Sequence, residues 1–164
     1  MRWTPLLIAT VLFAFQVEAG DAHLIFTPDQ SVARKARDRA QEMVQFATVE
    51  LGLKLDWSDA SIEDIEALSG QLHGDLRRER AALGDVEKLV QLLGSYVGEV
   101  FRRNHGGEWG MVDIRGKHVI ALKPAHGSAV MWPVERIKQR IRVGAVNNVW
   151  AYYQARTGTA NSIR

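Results

Sequence analysis

Tyr96 and Glu99 are the residues whose types and spacing come nearest to a catalytic pair. They lie three positions apart in the segment Gly-Ser-Tyr-Val-Gly-Glu-Val at 94–100, and side chains three apart share one face of a helix. If Glu99 is buried beside Tyr96 and Trp109, it could act as a general acid or base. Because the sequence places no second carboxylate or histidine to complete a constellation, Glu99 and Tyr96 remain candidates and no catalytic residue is assigned.

The alternative for this segment is a structural role. Glu99 precedes Arg103 by four residues, the favourable order for a helical ion pair, which contributes about 0.3–0.5 kcal/mol when it is exposed. Gly94 and Gly98 each cost a helix about 1 kcal/mol relative to alanine. Something must offset that cost, so either another part of the chain packs closely against both glycines or they form the floor of a ligand pocket.

The histidines and the composition predict no metal and no cofactor. None of the five histidines forms an H-x-H or H-x-x-x-H pair, and the chain has no cysteine. His105 and His126 fall in loops that flank the expected strands, where they could lie on one edge of the sheet. Zinc usually takes three or more protein ligands, and the sequence nominates no third one.

Several function classes lack their signatures. No serine lies in a G-x-S-x-G elbow, and the glycines at 106–110 do not join a strand to a helix as a phosphate-binding loop does. The formal net charge is only +2, which gives no case for nucleic-acid binding. The sequence therefore favours a binding role over these classes.

A binding surface is expected where the loop at 104–109, the His126 loop and a basic helix meet. Its candidate residues are Trp109, His105, His126, Arg136 and Arg140. The basic helix at 134–142 is typical of a docking surface for an acidic partner, or alternatively of a solvated face paired with carboxylates elsewhere. The tryptophans at 57, 109, 132 and 150 favour a core role, with stacking on sugars or a partner as the alternative.

The first residues are typical of an export signal. Arg2 precedes about ten apolar residues, and Val17 and Ala19 occupy the positions that a signal peptidase reads, so we expect residues 1–19 to be cleaved after Ala19. The alternative is a buried first element of a cytosolic fold. About ten apolar residues are too few to span a bilayer, so we expect a periplasmic or secreted product without a membrane span.

The remaining pattern predicts an α+β fold. Helices are expected at 29–51, from 61 with a weakness at Gly70 and Gly74, and at 86–104, where the apolar face is widest. Strands are expected at 109–114, 117–122 and 128–132, followed by two short helices from Pro133 and Ala145. The chain thus predicts helices packed on a small antiparallel sheet of about three strands, as one domain over 20–156, with a flexible tail at 157–164.

The second half of the chain resembles a family of small bacterial domains of unknown function. The resemblance rests on the G-x-Y-x-G-E-V segment at 94–100, the Gly-Gly-Glu-Trp segment at 106–109, and the helix from Pro133 through Arg140 and Ile141 to Gly144. It covers roughly residues 86–153. It implies a fold and no activity.

Three functions remain open from the sequence. The first is an exported, non-catalytic binding protein of the bacterial envelope, whose partner is an envelope protein, as for an inhibitor or immunity protein. The second is an envelope hydrolase that uses Glu99 with Tyr96. The third is a structural envelope factor with no discrete site.

Overall fold

The computed structural model describes residues 24–81, 83–127 and 129–158, so the expected signal segment at 1–19 and residues 159–164 of the expected tail lie outside the described residues. Those ranges hold five α-helices and a three-stranded antiparallel sheet, which confirms the α+β class. In chain order the elements are β1 (Phe26–Pro28), α1 (Gln30–Leu51), α2 (Ser61–Arg77), α3 (Leu83–His105), β2 (Gly107–Ile114), β3 (Lys117–Pro124), α4 (Pro133–Val143), a 3-10 turn (Ala145–Asn147) and α5 (Val149–Thr157).

Local chemistry fixes the ends of α1. The Asp29 carboxylate accepts hydrogen bonds from the backbone N–H groups of Ser31 at 2.7 Å and Val32 at 3.1 Å, which caps the first turn. Gly52 ends the helix with φ 62°, a left-handed conformation that glycine adopts without steric cost. The expected span of this helix is therefore confirmed.

The hairpin of β2 and β3 is built on a two-residue turn. Arg115 and Gly116 both have positive φ, 53° and 78°, as a type I′ turn requires. Pairing runs from Ile114 opposite Lys117 to Gly107 opposite Pro124, so both strands are longer than expected. The hairpin itself was correctly predicted.

The third strand was predicted in the wrong place. It is β1, whose Phe26 lies opposite Val112 of β2. Pro28, which has no backbone N–H, is tolerated there because β1 is an edge strand with a neighbour on one side only. Of the segment expected to be a strand at 128–132, residue 128 lies outside the described residues, and residues 129–132 make one bridge only, between Met131 and Leu122. Beyond that bridge the backbone N–H of Trp132 donates to the Tyr152 hydroxyl at 2.7 Å, and the chain turns into α4.

The helix α3 forms the centre of the molecule. All nine residues from 92 to 100 are buried, and α1, α4 and the sheet pack around them. The helix α1 runs antiparallel to α3, because Glu42 pairs with Lys88 at 2.9 Å while Arg39 donates to Gln91 at 3.0 Å. Because residues 92–100 are all buried, the candidate residues on α3 are held inside the packed core.

No described helix combines the length and the hydropathy that a bilayer span requires.

Gly94 and Gly98 are explained by close packing, the first of the two alternatives. A Cβ at position 94 would lie 2.5 Å from the Cα of Val134, so the first turn of α4 needs the bare backbone there. A Cβ at position 98 would overlap the Trp109 ring and crowd Pro133. The two glycines thus admit α4 and the Trp109 side chain against α3.

Replacing Gly98 with alanine is expected to lower the free energy of unfolding by about 1–3 kcal/mol, because the new methyl group must displace the Trp109 ring. Gly84, in the same helix, has no atom within 4 Å of the place that a Cβ would occupy, so Gly84→Ala should be neutral or stabilising by up to about 1 kcal/mol. Urea unfolding followed by circular dichroism measures both variants. Equal effects at the two positions would contradict the packing explanation.

The weakness expected in α2 at its two glycines does not break the helix. The helix runs unbroken from Ser61 to Arg77 through both Gly70 and Gly74. Gly70 has a packing reason, because a Cβ there would lie 2.7 Å from the Nη2 atom of Arg140. The Ser61 hydroxyl does not cap this helix, because it bonds the Ser58 carbonyl at 2.6 Å.

Candidate functional site

Glu99 is a fully buried carboxylate with its acceptors occupied. It accepts from the indole Nε1 of Trp109 at 2.7 Å and from the Nε and Nη2 of Arg102 at 2.9 and 3.0 Å. The expected partner Arg103 is farther away, with 3.7 Å between its Nε and the carboxylate. The hydrogen bond with Glu99 raises the pKa of the Arg102 guanidinium. Glu99 therefore joins α3 to β2 and has no solvent-facing edge for proton transfer.

Tyr96 serves a different network from Glu99. Its hydroxyl lies 2.7 Å from the Ser61 Oγ and accepts from the backbone N–H of Trp57 at 3.1 Å. Burial raises the pKa of Tyr96 above its ordinary value of 10.0. None of the hydrogen bonds of the described residues joins Tyr96 to Glu99, so the two candidates do not form one site.

The α1–α2 link, residues 53–60, is held by these side chains. Trp57 has φ 66°, a left-handed conformation that is rare for a bulky residue. Its N–H reaches Tyr96, its carbonyl accepts from the Asn104 amide at 3.0 Å, and the Arg103 guanidinium lies 3.5 Å from its ring centroid. The α3 side chains thus fix an otherwise strained backbone.

Asp59, at the end of this link, organises a cluster that the sequence did not reveal. Its Oδ1 accepts from the Tyr153 hydroxyl at 2.6 Å and the Asn104 amide at 2.8 Å, and its Oδ2 accepts from the His105 Nε2 at 2.8 Å. Burial raises the pKa of Asp59, but these three hydrogen bonds outweigh it and the pKa lies below 3.8. Burial, together with the bond to Asp59, raises the pKa of Tyr153. The ionised Asp59 therefore orients His105.

His105 and His126 line one depression, which we call the His105 depression. It encloses about 350 Å³ at the ends of α3 and α5 and is lined by Phe101, Asn104, His105, Pro124, His126, Arg156 and Thr157. None of these residues is acidic. The two histidines that the sequence nominated thus line the same depression, and Arg156 joins them.

Two arginines converge on one ring beside this depression. The guanidinium carbons of Arg136 and Arg156 lie 4.4 and 5.3 Å from the centroid of the Tyr152 ring. Burial lowers the pKa of Arg136, and the nearby Arg156 lowers it further, against the opposing effect of Tyr152. Neither arginine forms an ion pair with a carboxylate of the described residues. The Arg136–Tyr152–Arg156 edge is therefore a concentration of positive charge.

Two of the five residues expected on the binding surface lie elsewhere. Trp109 is 2% exposed and packs under Glu99. Arg140 is 8% exposed and pairs with Glu66 at 2.7 Å, because the inner face of α4 meets α2 there. Within the described ranges no three His, Asp or Glu side chains are placed to hold a metal ion.

The cluster members that sequence reasoning missed are far apart in the chain. Asp59 lies 46 residues from His105 and 94 from Tyr153. No local spacing signals such a contact. Arg156 gave a weak signal only, as a lone basic residue in the last turn of α5 beside the tyrosine pair.

Comparison with known proteins gives a family and a fold. The model of the family described as "Domain of unknown function (DUF3806)" matches residues 72–153, which is half of the chain. No curated protein matches the chain.

A crystal structure from Bacteroides thetaiotaomicron VPI-5482, at 1.50 Å resolution, is similar with a TM-score of 0.60 and 14% sequence identity. The match covers 83% of this chain and 48% of that one, so the chain spans about half the length of that structure. At this identity the similarity shows a shared fold alone.

Proposed function

Since the chain belongs to the DUF3806 family, whose members share a domain of unknown function, we propose its function from the geometry: an exported, non-catalytic protein that binds an acidic segment of a bacterial envelope protein. The binding surface is the His105 depression together with the Arg136–Tyr152–Arg156 edge. One observation carries the proposal. Two guanidiniums face the same ring with no carboxylate of the described residues to neutralise them.

Convergence of like charges has an electrostatic cost that an anionic partner would remove. Contact with the Tyr152 ring offsets part of the cost, by about 0.5–2 kcal/mol for each cation–π pair. A carboxylate bound between Arg136 and Arg156 could accept hydrogen bonds from both guanidiniums. The same charge would also speed the encounter with an acidic partner.

A competing explanation is that these basic residues stabilise the helix ends. His105 and Arg156 lie in the last turns of α3 and α5, where the carbonyl ends carry partial negative charge and favour cations. That explanation does not account for Arg136, which belongs to the first half of α4. It also predicts effects on stability and none on binding, which makes the two explanations separable.

The decisive experiment compares two variants of equal net charge. Arg136→Gln with Arg156→Gln removes the charged edge, while Arg34→Gln with Arg37→Gln removes two exposed charges from α1. Each tagged protein, produced with its leading segment, is used to capture partners from envelope extract. We expect one acidic partner to be held by the wild type and the α1 variant, released by rising salt, and lost by the edge variant.

The outcomes separate the proposals. A partner that all three proteins retain would place binding on another surface, and no partner at all would refute the binding function. The intact mass of the captured protein tests export, because loss of residues 1–19 is expected and an uncleaved chain would refute the envelope location. Thermal melting of each variant confirms that lost capture is not lost folding.

A second candidate function is an envelope hydrolase, and one observation favours it. Asp59 fixes the tautomer of His105 through Nε2, and Nδ1 has no hydrogen-bond partner among the described residues. A histidine held this way can act as a general base at the depression. A hydrolase that uses Glu99 and Tyr96 has less support, because both side chains are buried and hydrogen-bonded inside the core.

A purely structural envelope role is the third candidate function. It predicts that the edge variant and the α1 variant differ from the wild type in stability alone.

A further inference from the structure

A second pocket lies where α1, α3, α4 and the hairpin meet. It encloses about 260 Å³ and shares no lining residue with the His105 depression. Six apolar residues line it: Val32, Ala36, Trp109, Met111, Ile120 and Val134. The proposed function makes no use of this pocket.

Ser95 brings to the pocket a hydroxyl that bonds no described residue and is open to the pocket's solvent. The residue is 2% exposed, lines the pocket, and has no hydrogen-bond partner for its hydroxyl among the described residues. A buried helical serine ordinarily bonds the carbonyl four residues earlier, as Ser69 does with Ile65 at 2.7 Å. The free hydroxyl at position 95 is therefore available to a ligand.

The rim of the pocket supplies positive charge opposite Ser95. The antiparallel pairs of α1 with α3, Glu42 with Lys88 and Arg39 with Gln91, bring Lys35 level with Ser95. Lys35 lines the pocket and is in no ion pair among the described residues. Hydrogen bonds from Ser31 and Val32 and, to a smaller extent, the Lys35 charge lower the pKa of the nearby Asp29. The one acidic residue of the lining, Asp29, already accepts three hydrogen bonds from the first turn of α1.

We propose that this pocket binds a small organic carboxylate with a ring-sized apolar group. The apolar group would lie among the six apolar lining residues, and the carboxylate would accept hydrogen bonds from the Ser95 hydroxyl and the Lys35 ammonium. An apolar cavity of about 150 Å³ holds benzene, so this pocket has room for one ring and its carboxylate. It is smaller than the roughly 300–1,000 Å³ of sites for drug-sized molecules. The inference goes beyond the proposed function in both surface and ligand.

Benzoate titrated into the full chain tests this assignment by two-dimensional amide NMR. Saturable shifts are expected at Val32, Met111, Ile120 and the Trp109 indole. Lys35→Gln should weaken benzoate binding about tenfold, and Ser95→Ala by about threefold to tenfold, since each removes a hydrogen-bond donor to a charged group. Lys54→Gln, an exposed lysine on the α1–α2 link, is the matched control and should bind as the wild type does.

Three results would overturn the proposal: benzoate that does not saturate, equal affinity for Lys35→Gln and the wild type, or benzamide that binds as tightly as benzoate. Equal binding of benzamide and benzoate would mean that the pocket binds the ring and does not recognise the carboxylate. Ser95→Ala removes no hydrogen bond within the described structure, so its melting temperature should match the wild type. The Arg136→Gln, Arg156→Gln variant should bind benzoate normally, so failure of one proposal leaves the other standing.

Discussion

Glu99→Gln is expected to lower the free energy of unfolding by about 3 kcal/mol. The substitution keeps an acceptor for the Trp109 indole but removes the charge that holds Arg102 in a two-point contact. Removing one partner of a buried ion pair costs about 3–5 kcal/mol, and the partial exposure of Arg102 places this case at the lower end. Urea unfolding followed by the far-ultraviolet circular dichroism signal measures the change.

Glu87→Gln is the matched control for Glu99→Gln. Glu87 lies in the same helix and pairs with Arg142 at 3.4 Å, but both side chains are about half exposed. An exposed pair of this kind contributes less than about 1 kcal/mol. If Glu99→Gln costs no more than Glu87→Gln, the carboxylate is not a structural tie between α3 and β2.

Arg140→Met is the second substitution with a large expected effect, about 3–4 kcal/mol of lost stability. Arg140 donates to Glu66 at 2.7 Å, and the other oxygen of Glu66 accepts from the backbone N–H of Val149 at 2.7 Å. The pair therefore joins α2, α4 and α5 at one point. Without the guanidinium, the Glu66 carboxylate stays largely buried with a single donor.

Arg142→Met isolates the effect of burial, because Arg142 lies two residues away in α4 and its pair with Glu87 is exposed. It should cost less than about 1 kcal/mol. Glu66→Gln combined with Arg140→Met should recover part of the loss, because the double variant leaves no unpaired buried charge. If the losses of stability measured for Glu66→Gln and Arg140→Met simply add in the double variant, the two side chains contribute independently.

Much of the fold could be predicted because its elements begin and end at residues with local signals. Asp29, Gly52 and Pro133 fix helix ends by capping or by backbone geometry, and the wide apolar face of α3 is visible in the spacing alone. The strand β1 could not be predicted, since three residues ending in proline give no strand pattern. Its pairing depends on β2, which lies more than 80 residues later.

The candidate site was harder to predict than the fold, because its contacts are long-range. The histidines were expected together, but Asp59 and Arg156 reach them only through the packing of the α1–α2 link and α5. Arg140 was misjudged for a reason that the sequence does contain. It lies between Ile137 and Ile141 on the inner face of α4, where an arginine needs a buried partner, and Glu66 is equally unusual beside Ile62 and Ile65.

The attachment of the α1–α2 link has a consequence for how the protein opens. Both backbone groups of Trp57 are satisfied by side chains of α3, Tyr96 and Asn104, and not by another backbone. Trp57 can therefore leave α3 without breaking a backbone–backbone hydrogen bond of its own, and release of its strained backbone favours that step. Local opening there would loosen Asp59 and with it His105, so the order of the candidate site depends on a segment that is partly held by side chains.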